Sequence, residues 1–121
     1  MDSEKPRDVL APFCPAYSHA MEIIGRRWTG AIIRSMLSGA SRYSEIVSAV
    51  PGLSDRLLSE RLKELEGEGI VARSVTPSTP VRIDYTLTEK GLALASVVRE
   101  VADWAERWAD APAAEGSAQA G

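Results

Sequence analysis

Apolar residues recur three and four positions apart through the first half of the chain, a spacing typical of helices that bury one face. They predict helices over residues 18–24, 28–37 and 43–50. Pro51 and Gly52 then break the chain sharply. Ser54 follows as a natural N-cap for a fourth helix over residues 55–66. Two helices are therefore expected to meet across a very short turn.

The fourth helix has one apolar face and one polar face. Leu58, Leu62 and Leu65 are four and three residues apart and are expected to lie inward. Gly67 or Gly69 can supply the left-handed residue that ends the helix. The outer face carries Arg56, Ser59, Glu60 and Lys63. These side chains are able to bond to nucleic acid, but they also suit any solvated helix face, so the helix alone decides nothing.

After the fourth helix the apolar period becomes two, which is typical of strands. Residues 70–75 have strand character, and polar residues alternate with Val81, Ile83, Tyr85 and Leu87. The TPSTP segment between these runs predicts a hairpin with a proline-bounded tip, and the register leaves Arg73 opposite either Asp84 or a neighbour. Thr88 is then expected to cap a last helix that runs to about Trp108.

This order of elements predicts an α+β fold that is mostly α, a winged helix-turn-helix with a two-stranded wing hairpin. In such a fold the helix after the turn lies in the DNA major groove and the hairpin reaches the adjacent backbone. The predicted organisation is a flexible arm over residues 1–13, one winged-helix domain over residues 14–108, and a disordered tail over residues 109–121. The outer face of the fourth helix is thereby a candidate for reading DNA.

Length and composition indicate one domain and exclude several classes of protein. With 121 residues, of which 45% are apolar, the chain can bury one core and is too short for two ordinary domains. It contains no run of eighteen apolar residues and no secretory signal, so a cytoplasmic protein without a membrane partner is expected. One histidine, one cysteine and no phosphate-loop, dinucleotide or metal motif predict no enzyme, no cofactor and no metal site.

Charge is unevenly distributed along the chain. The net charge of -3 argues mildly against nucleic-acid binding. Between Ile24 and Lys63, however, seven basic residues stand against three acidic ones, a local charge of +4, whereas the chain from Asp103 onward is acidic. Arg61 lies on the flank of the apolar stripe and is expected to pack along the core and pair with a carboxylate. The remaining pattern favours one basic binding face.

Five segments of the chain resemble the HxlR-type winged-helix transcriptional regulators, whose fold is related to that of the MarR group. They are CP at residues 14–15, IGRRW at 24–28, RYSEI at 42–46, PGLSDRLLSERLKELEGEGIV at 51–71 and RIDYTLTEKG at 82–91. Their order and spacing together carry the resemblance, which covers residues 14–108. It implies a cytoplasmic, homodimeric DNA-binding regulator whose N- and C-terminal helices form the dimer.

The resemblance also implies which residues contact DNA. They are Ser54, Arg56, Ser59 and Lys63 on the recognition helix, Arg82 on the wing, and Arg42 and Tyr43 at the start of the supporting helix. The Arg56 guanidinium suits a guanine edge, whereas Lys63 suits a phosphate. Tyr43 either donates a hydrogen bond to a DNA phosphate or has a half-buried packing role. Asp55 and Glu60 depart from the family pattern and either face a cytosine amino group or lie off the DNA.

The final helix carries more apolar surface than one small domain needs. One stripe consists of Leu94, Val97, Val101, Trp104 and Trp108. A second stripe beside it consists of Val98, Ala102 and Ala105. Packing on the chain's own domain requires only one face, so the surplus favours a homodimer interface with the tryptophans as anchors. In the alternative, the second stripe covers the first helix of the same chain.

Cys14 is the one residue whose side chain could carry chemistry. The resemblance raises a redox or electrophile sensor at this position, while burial as a small hydrophobe is equally open, since its neighbours Phe13 and Pro15 are not cationic. His19 is expected to have a packing or solvent-exposed role. Trp28 is expected in the core, with a place in the wall of an effector pocket as the alternative.

Taken together, these observations predict a homodimeric, sequence-specific transcriptional regulator, a repressor, that binds double-stranded DNA at an inverted-repeat operator. Control by oxidants or by a small-molecule effector of unidentified chemistry is left open. The alternative is a winged-helix module that binds protein instead of DNA, which the acidic net charge and the two carboxylates of the fourth helix favour.

Overall fold

The computed structural model describes residues 13–110, in which helices and strands follow the predicted order. The elements are α1 (Pro15–Ile24), α2 (Thr29–Leu37), α3 (Tyr43–Ala49), α4 (Asp55–Gly67), β1 (Val71–Thr76), β2 (Arg82–Leu87), α5 (Glu89–Leu92) and α6 (Ala95–Ala109). The two strands form one antiparallel hairpin. The predicted fold class, a mostly helical winged helix-turn-helix, is confirmed.

The helices begin and end close to the predicted residues. α1 starts three residues earlier than predicted, because Pro15 occupies a first-turn position whose missing N–H needs no partner. α2 starts after Trp28, which adopts a left-handed backbone with φ 78°. Of the two glycines proposed to end α4, Gly67 is still helical and Gly69 is left-handed, with φ 75°.

The prediction of one last helix from Thr88 to Trp108 was wrong, because α5 and α6 are separate helices. Thr88 does cap α5, since its hydroxyl accepts a hydrogen bond from the Gly91 amide at 3.1 Å. The Leu94 amide then bonds to the Gly91 carbonyl, three residues back, which tightens the chain at the end of α5. Beyond this break, Leu94 and Val98 pack against the core.

The hairpin register places Arg73 opposite Tyr85 and Ser74 opposite Asp84. The hairpin therefore takes the second of the two predicted alternatives for Arg73. Only the first residue of β1, Val71, is buried, so most of the hairpin projects away from the core as a wing. The wing base is joined to the start of α3 by a hydrogen bond of 2.7 Å from the Tyr85 amide to the Ser41 carbonyl.

The core lies between α2, α3, α4 and the wing base. Its buried apolar residues are Ile32, Ile33, Met36, Ile46, Val50, Leu53, Leu58, Leu62, Leu65, Ile70 and Val71. α5 approaches it closely at Gly91, where a Cβ atom would lie 2.3 Å from the Ile70 carbonyl oxygen. The predicted arm (residues 1–13) and tail (residues 109–121) lie outside the described residues, apart from Phe13, Ala109 and Asp110, and Ala109 is still part of α6.

Candidate nucleic-acid interface

The turn between α3 and α4 is held from both sides. Gly52 has φ 89°, and an added Cβ would lie 3.2 Å from the Trp28 ring, so the position favours glycine for conformation and for space. Leu53 is buried and anchors the turn to the core. The Ser54 hydroxyl accepts from the Leu57 amide at 3.1 Å, which confirms the predicted N-cap. The turn therefore fixes the direction in which α4 leaves the core.

α4 separates its side chains as the sequence predicts. Leu58, Leu62 and Leu65 are buried, with at most 2% of their surface exposed. On the opposite side Lys63 is exposed, and the Arg56 side chain is 86% exposed and lies 3.4 Å from the Glu60 carboxylate one turn away. Ser54 is exposed and Ser59 is half-buried. The outer face of α4 thus offers cationic and hydroxyl groups.

Arg61 supports the fold from within α4. Only 8% of the residue is exposed. Its Nε donates to the Arg27 carbonyl at 3.0 Å, and its Nη1 lies 3.2 Å from Glu64 and 3.8 Å from Glu60. The predicted structural role is confirmed. Glu60 thereby lies between Arg56 and Arg61, an intramolecular use that accounts for this carboxylate on a basic face.

Tyr43 joins the start of α3 to the start of α4. Its hydroxyl donates a hydrogen bond to the Asp55 carbonyl, and the residue is half-buried against the core. Burial, followed by the Asp55 carboxylate and Tyr85, raises the pKa of Tyr43 above its ordinary value. The structure therefore gives the Tyr43 hydroxyl an intramolecular partner and favours the packing role of the two that the sequence leaves open.

Arg42 and Arg82 meet alongside the wing, where Arg82 pairs with Thr76 at the end of the hairpin away from the core. Arg42 is the N-cap residue of α3, and its Nε lies 4.0 Å from Asp84. Arg82 on β2 donates from Nε to the same carboxylate at 2.9 Å. The bond from Tyr43 to Asp55 holds the starts of α3 and α4 together. Arg42 directly precedes Tyr43, and Arg56 directly follows Asp55. We call Arg42, Arg56, Lys63 and Arg82 the basic surface.

Glu45 holds the start of α3 in place. The Arg42 side chain has no acceptor atom, so the helix is capped by Glu45, whose Oε1 accepts from the Ser41 and Arg42 amides at 2.9 and 3.0 Å. These two amides hold the pKa of the Glu45 carboxyl below its ordinary value. Sequence reasoning missed this role, although Glu at the third position of a helix is a known signal.

The predicted dimer residues separate into two groups. Leu94 is half-buried against the chain's own core. The other four form what we call the α6 stripe: Val97, Val101, Trp104 and Trp108, exposed by 39%, 61%, 65% and 56%. A similar stripe was missed, although its spacing of four residues shows in the sequence: Phe13, just before α1, and Tyr17 and Met21 on α1, all exposed. We call it the α1 stripe.

A cavity of about 350 Å³ lies between α2 and α6. Its walls include Gly30, Ala31 and Arg34 from α2, and it shares Val97 and Val101 with the α6 stripe. Trp28 does not line it but packs on the core, as the first of its two predicted roles requires. The cavity therefore opens onto the surface that the sequence assigns to a dimer.

The remaining candidates have simple surroundings. Cys14 is the N-cap residue of α1, half-buried and unpaired among the described residues. His19 lies 3.1 Å from Glu68. Residues 13–110 contain no cluster of three or more potential metal ligands. Within the same range, every helix is too short or too polar to cross a bilayer.

Comparison with known proteins gives consistent matches. The family described as HxlR-like helix-turn-helix matches residues 23–113. YvaP of Bacillus subtilis (strain 168), an uncharacterised HTH-type transcriptional regulator, is 53% identical over 97 residues, which cover 80% of this chain and 90% of YvaP.

Two solved structures extend the match to three dimensions. The reduced form of the transcriptional regulator YodB from B. subtilis has a TM-score of 0.73 and 44% identity, covering 84% of this chain and 99% of that one. YodB has also been solved after diamide treatment and with bound quinone. The redox regulator HypR in its reduced form has a TM-score of 0.74 and 33% identity, covering 78% of this chain and 94% of that one.

Proposed function

The chain belongs to the HxlR-like helix-turn-helix family of transcriptional regulators, and we propose that it binds double-stranded DNA sequence-specifically as a homodimeric repressor. The observation that carries the proposal is the basic surface. Arg56 and Lys63 project from a helix whose opposite face is fully occupied by the core, and Arg42 and Arg82 lie together where the wing meets the start of α3. Three of these four side chains also lie near carboxylates, yet all four remain exposed.

In the proposed complex, α4 lies in the major groove and the wing reaches the adjacent backbone. Arg56 contacts a base edge, with Ser59 beside it, while Ser54, Lys63, Arg42 and Arg82 contact phosphates. Tyr43 is kept at the interface as the residue that joins α3 to α4. Two-fold symmetry of the dimer places the half-sites about 34 Å apart, one helical turn, in inverted orientation.

Substitution of Arg56 and Arg82 tests these assignments. Arg56→Ala should cost about 1 to 3 kcal/mol at one base position and relax sequence preference, because a bidentate base contact is lost. Arg82→Ala should weaken all sequences alike and flatten the salt dependence. Binding is measured by gel shift on the operator, located by footprinting DNA that flanks the gene for this protein.

Arg99→Ala is the matched control, since Arg99 is exposed on α6 and outside the basic surface. Isotherms that change no more for Arg56→Ala and Arg82→Ala than for the control would refute the assignment. Reporter transcription with and without the protein tests repression, and a reporter that rises with the protein would show activation instead.

A protein-binding winged helix is the second candidate, supported by the acidic total charge and by Asp55 and Glu60 on α4. The position of Glu60 between two arginines weakens that support. Retention on random-sequence duplex at low salt separates the two functions, because the basic surface should bind phosphate whatever the sequence. A protein that passes such a column unretained would favour the protein-binding module.

The homodimer is proposed from the α6 and α1 stripes. Tryptophan side chains that become buried in an interface contribute much of the association free energy. Few soluble monomers expose a row of large apolar side chains like this one. Four of the five predicted residues are available for this contact, while Leu94 supports it from the core side. The apolar cavity between α2 and α6 adjoins the same surface.

A redox role of Cys14 is proposed from its position and its relatives. The thiol is half-buried at the start of α1, beside exposed Phe13, so it lies next to a stripe proposed for the dimer. The relatives include YodB in diamide-treated and quinone-bound forms and HypR, described as a redox regulator. Diamide should therefore produce a cross-linked species on non-reducing gels and alter DNA binding, both absent in Cys14→Ser. An identical response of that variant would exclude Cys14.

A further inference from the structure

In the wing, one carboxylate is shared by two arginines from different elements. Asp84 on β2 has a side chain that is 20% exposed. Arg82, two residues earlier on the same strand, approaches its Oδ2 at 2.9 Å. Arg42, at the start of α3, approaches its Oδ1 at 4.0 Å. Asp84 therefore lies between two guanidinium groups of the basic surface.

The backbone, and not only the flexible side chains, brings these three residues together. The Tyr85 amide donates to the Ser41 carbonyl at 2.7 Å, so the residues adjacent to that bond, Asp84 and Arg42, lie side by side. The Ser41 amide in turn donates to the Glu45 carboxylate at 2.9 Å. The arrangement is thus built into the contact between the wing and α3.

Both arginines use the same nitrogen for this contact. Arg42 and Arg82 each face Asp84 with Nε, which leaves the four N–H donors of the Nη atoms on each guanidinium free of Asp84. Their side chains are 46% and 51% exposed. The Arg82 guanidinium, hydrogen-bonded at Nε, has already lost part of the rotational freedom that binding a phosphate would otherwise remove, whereas Arg42, at 4.0 Å, is attracted to the carboxylate by charge without a hydrogen bond. The geometry therefore orients Arg82 by a hydrogen bond and Arg42 by charge, without occupying the atoms that bind.

Wing stability alone does not explain this carboxylate. Its Oδ1 is buried and accepts no hydrogen bond within the described residues, an arrangement that costs stability. Its negative charge also opposes the approach of DNA. Both costs make sense if the carboxylate acts through the arginines beside it.

We propose that Asp84 is a positioning residue that holds Arg42 and Arg82 as a two-armed clamp for a DNA backbone phosphate. The inference rests on the proposed DNA-binding function and assigns a role to a residue that carries the same negative charge as the ligand. Because the clamp binds a phosphate, it acts on any sequence and contributes to affinity more than to specificity.

The test compares Asp84→Asn in two backgrounds by fluorescence anisotropy on a random-sequence duplex. Salt is set at about 0.15 M, where the screening length of about 8 Å reduces long-range repulsion. In the otherwise unchanged protein, Asp84→Asn should weaken binding by about three- to tenfold, because two side chains lose their fixed orientation. In the Arg42→Ala/Arg82→Ala protein the same change should tighten binding, since only repulsion remains to be removed.

This reversal of sign distinguishes positioning from a structural role. Weakening by the same factor in both backgrounds would mean that Asp84 only supports the wing fold, and tightening in both would mean that it only competes with DNA. Either result overturns the clamp while leaving DNA binding intact. An unchanged protein that fails to bind the duplex would remove the proposed function together with the clamp.

Two further measurements complete the test: a charge control, and a set of variants that remains informative when the Asp84 variants are too unstable to measure. Asp103→Asn removes the same charge from exposed α6, which packs on α2, and should leave duplex binding nearly unchanged. Arg42→Ala, Arg82→Ala and the double variant retain Asp84. Arms that grip one phosphate should show losses that do not add, whereas independent contacts should add. Additive losses would overturn the clamp without any Asp84 substitution.

Discussion

The basic surface and the α6 stripe are both exposed, but only one of them has its partners within the chain. Arg56 lies beside Glu60, and Arg42 and Arg82 lie beside Asp84. Trp104 and Trp108 are more than half exposed and no part of the described chain covers them. Charged groups are well solvated, so the basic surface is stable in water and can exchange one set of partners for another. Large apolar side chains gain free energy only when something covers them.

The difference implies that salt should separate the two surfaces. If the dimer neutralises roughly six to ten phosphates, its affinity for DNA should fall by about a thousandfold or more between low and moderate salt. Dimerisation should change little over the same range, because burial of apolar surface does not depend on ion screening. Titrations of duplex binding and sedimentation equilibrium across that salt range measure the two responses. A dimer that dissociates in step with the loss of DNA binding would contradict the distinction.

Removal of the aromatic anchors should affect association next most strongly. Trp104→Ala with Trp108→Ala should raise the dimer dissociation constant by about a hundredfold or more, because truncated aromatic anchors commonly cost 2 kcal/mol or more each. Sedimentation equilibrium gives the constant. Leu92→Ala is the matched control, since Leu92 is similarly exposed but lies on α5, outside the stripe. An unchanged oligomeric state of the double variant would exclude the α6 stripe as the interface.

Within α4, removal of a buried cation should reduce the stability of the protein more than removal of an exposed one. Arg61→Ala should lower the free energy of unfolding by about 2 to 4 kcal/mol, because it removes a buried side chain that pairs with Glu64 and the Arg27 carbonyl. Lys63→Ala should change it by less than about 0.5 kcal/mol, because Lys63 is exposed. Urea denaturation measures both. Equal losses of unfolding free energy would mean that Arg61 and Lys63 do not have the separate roles, in the fold and in the basic surface, that their burial indicates.

The smallest expected effect is a pH dependence at the start of α3. The pKa of Glu45 is lowered in the folded chain, so its contribution to stability is fully present above its ordinary pKa of 4.5. That contribution is lost as the pH falls through the lower folded value. Glu45→Ala should therefore destabilise the protein at neutral pH and have little effect in strong acid. Urea titrations at both pH values check this, and a difference that persists unchanged in acid would assign Glu45 a role other than its charge.

Much of the fold follows from local patterns in the chain. The leucines of α4 lie inward and Ser54 caps the helix, because the period of 3.6 residues and the need for an amide acceptor are local properties. The break between α5 and α6 was not predicted. It follows Gly91, which lies close to the carbonyl of Ile70, a residue distant in sequence.

The candidate site was predicted less completely than the fold. Arg42, Arg56, Lys63 and Arg82 are exposed as a DNA contact requires, but nothing in the local sequence marks Asp84 as the neighbour of Arg42. The two are 42 positions apart, and their segments are joined by the hydrogen bond between Tyr85 and Ser41. The α1 stripe could have been found from its spacing of four residues.

By itself, the sequence determined the order of elements, the turn before α4 and the division of α4 into an inner and an outer face. These features depend on residues a few positions apart, whose preferences act before the chain is compact. Only the tertiary structure decided the wing register, the break before α6, and which carboxylate each arginine meets. Those choices join segments far apart in the chain, and many pairings are sterically possible until the core brings a few of them within reach.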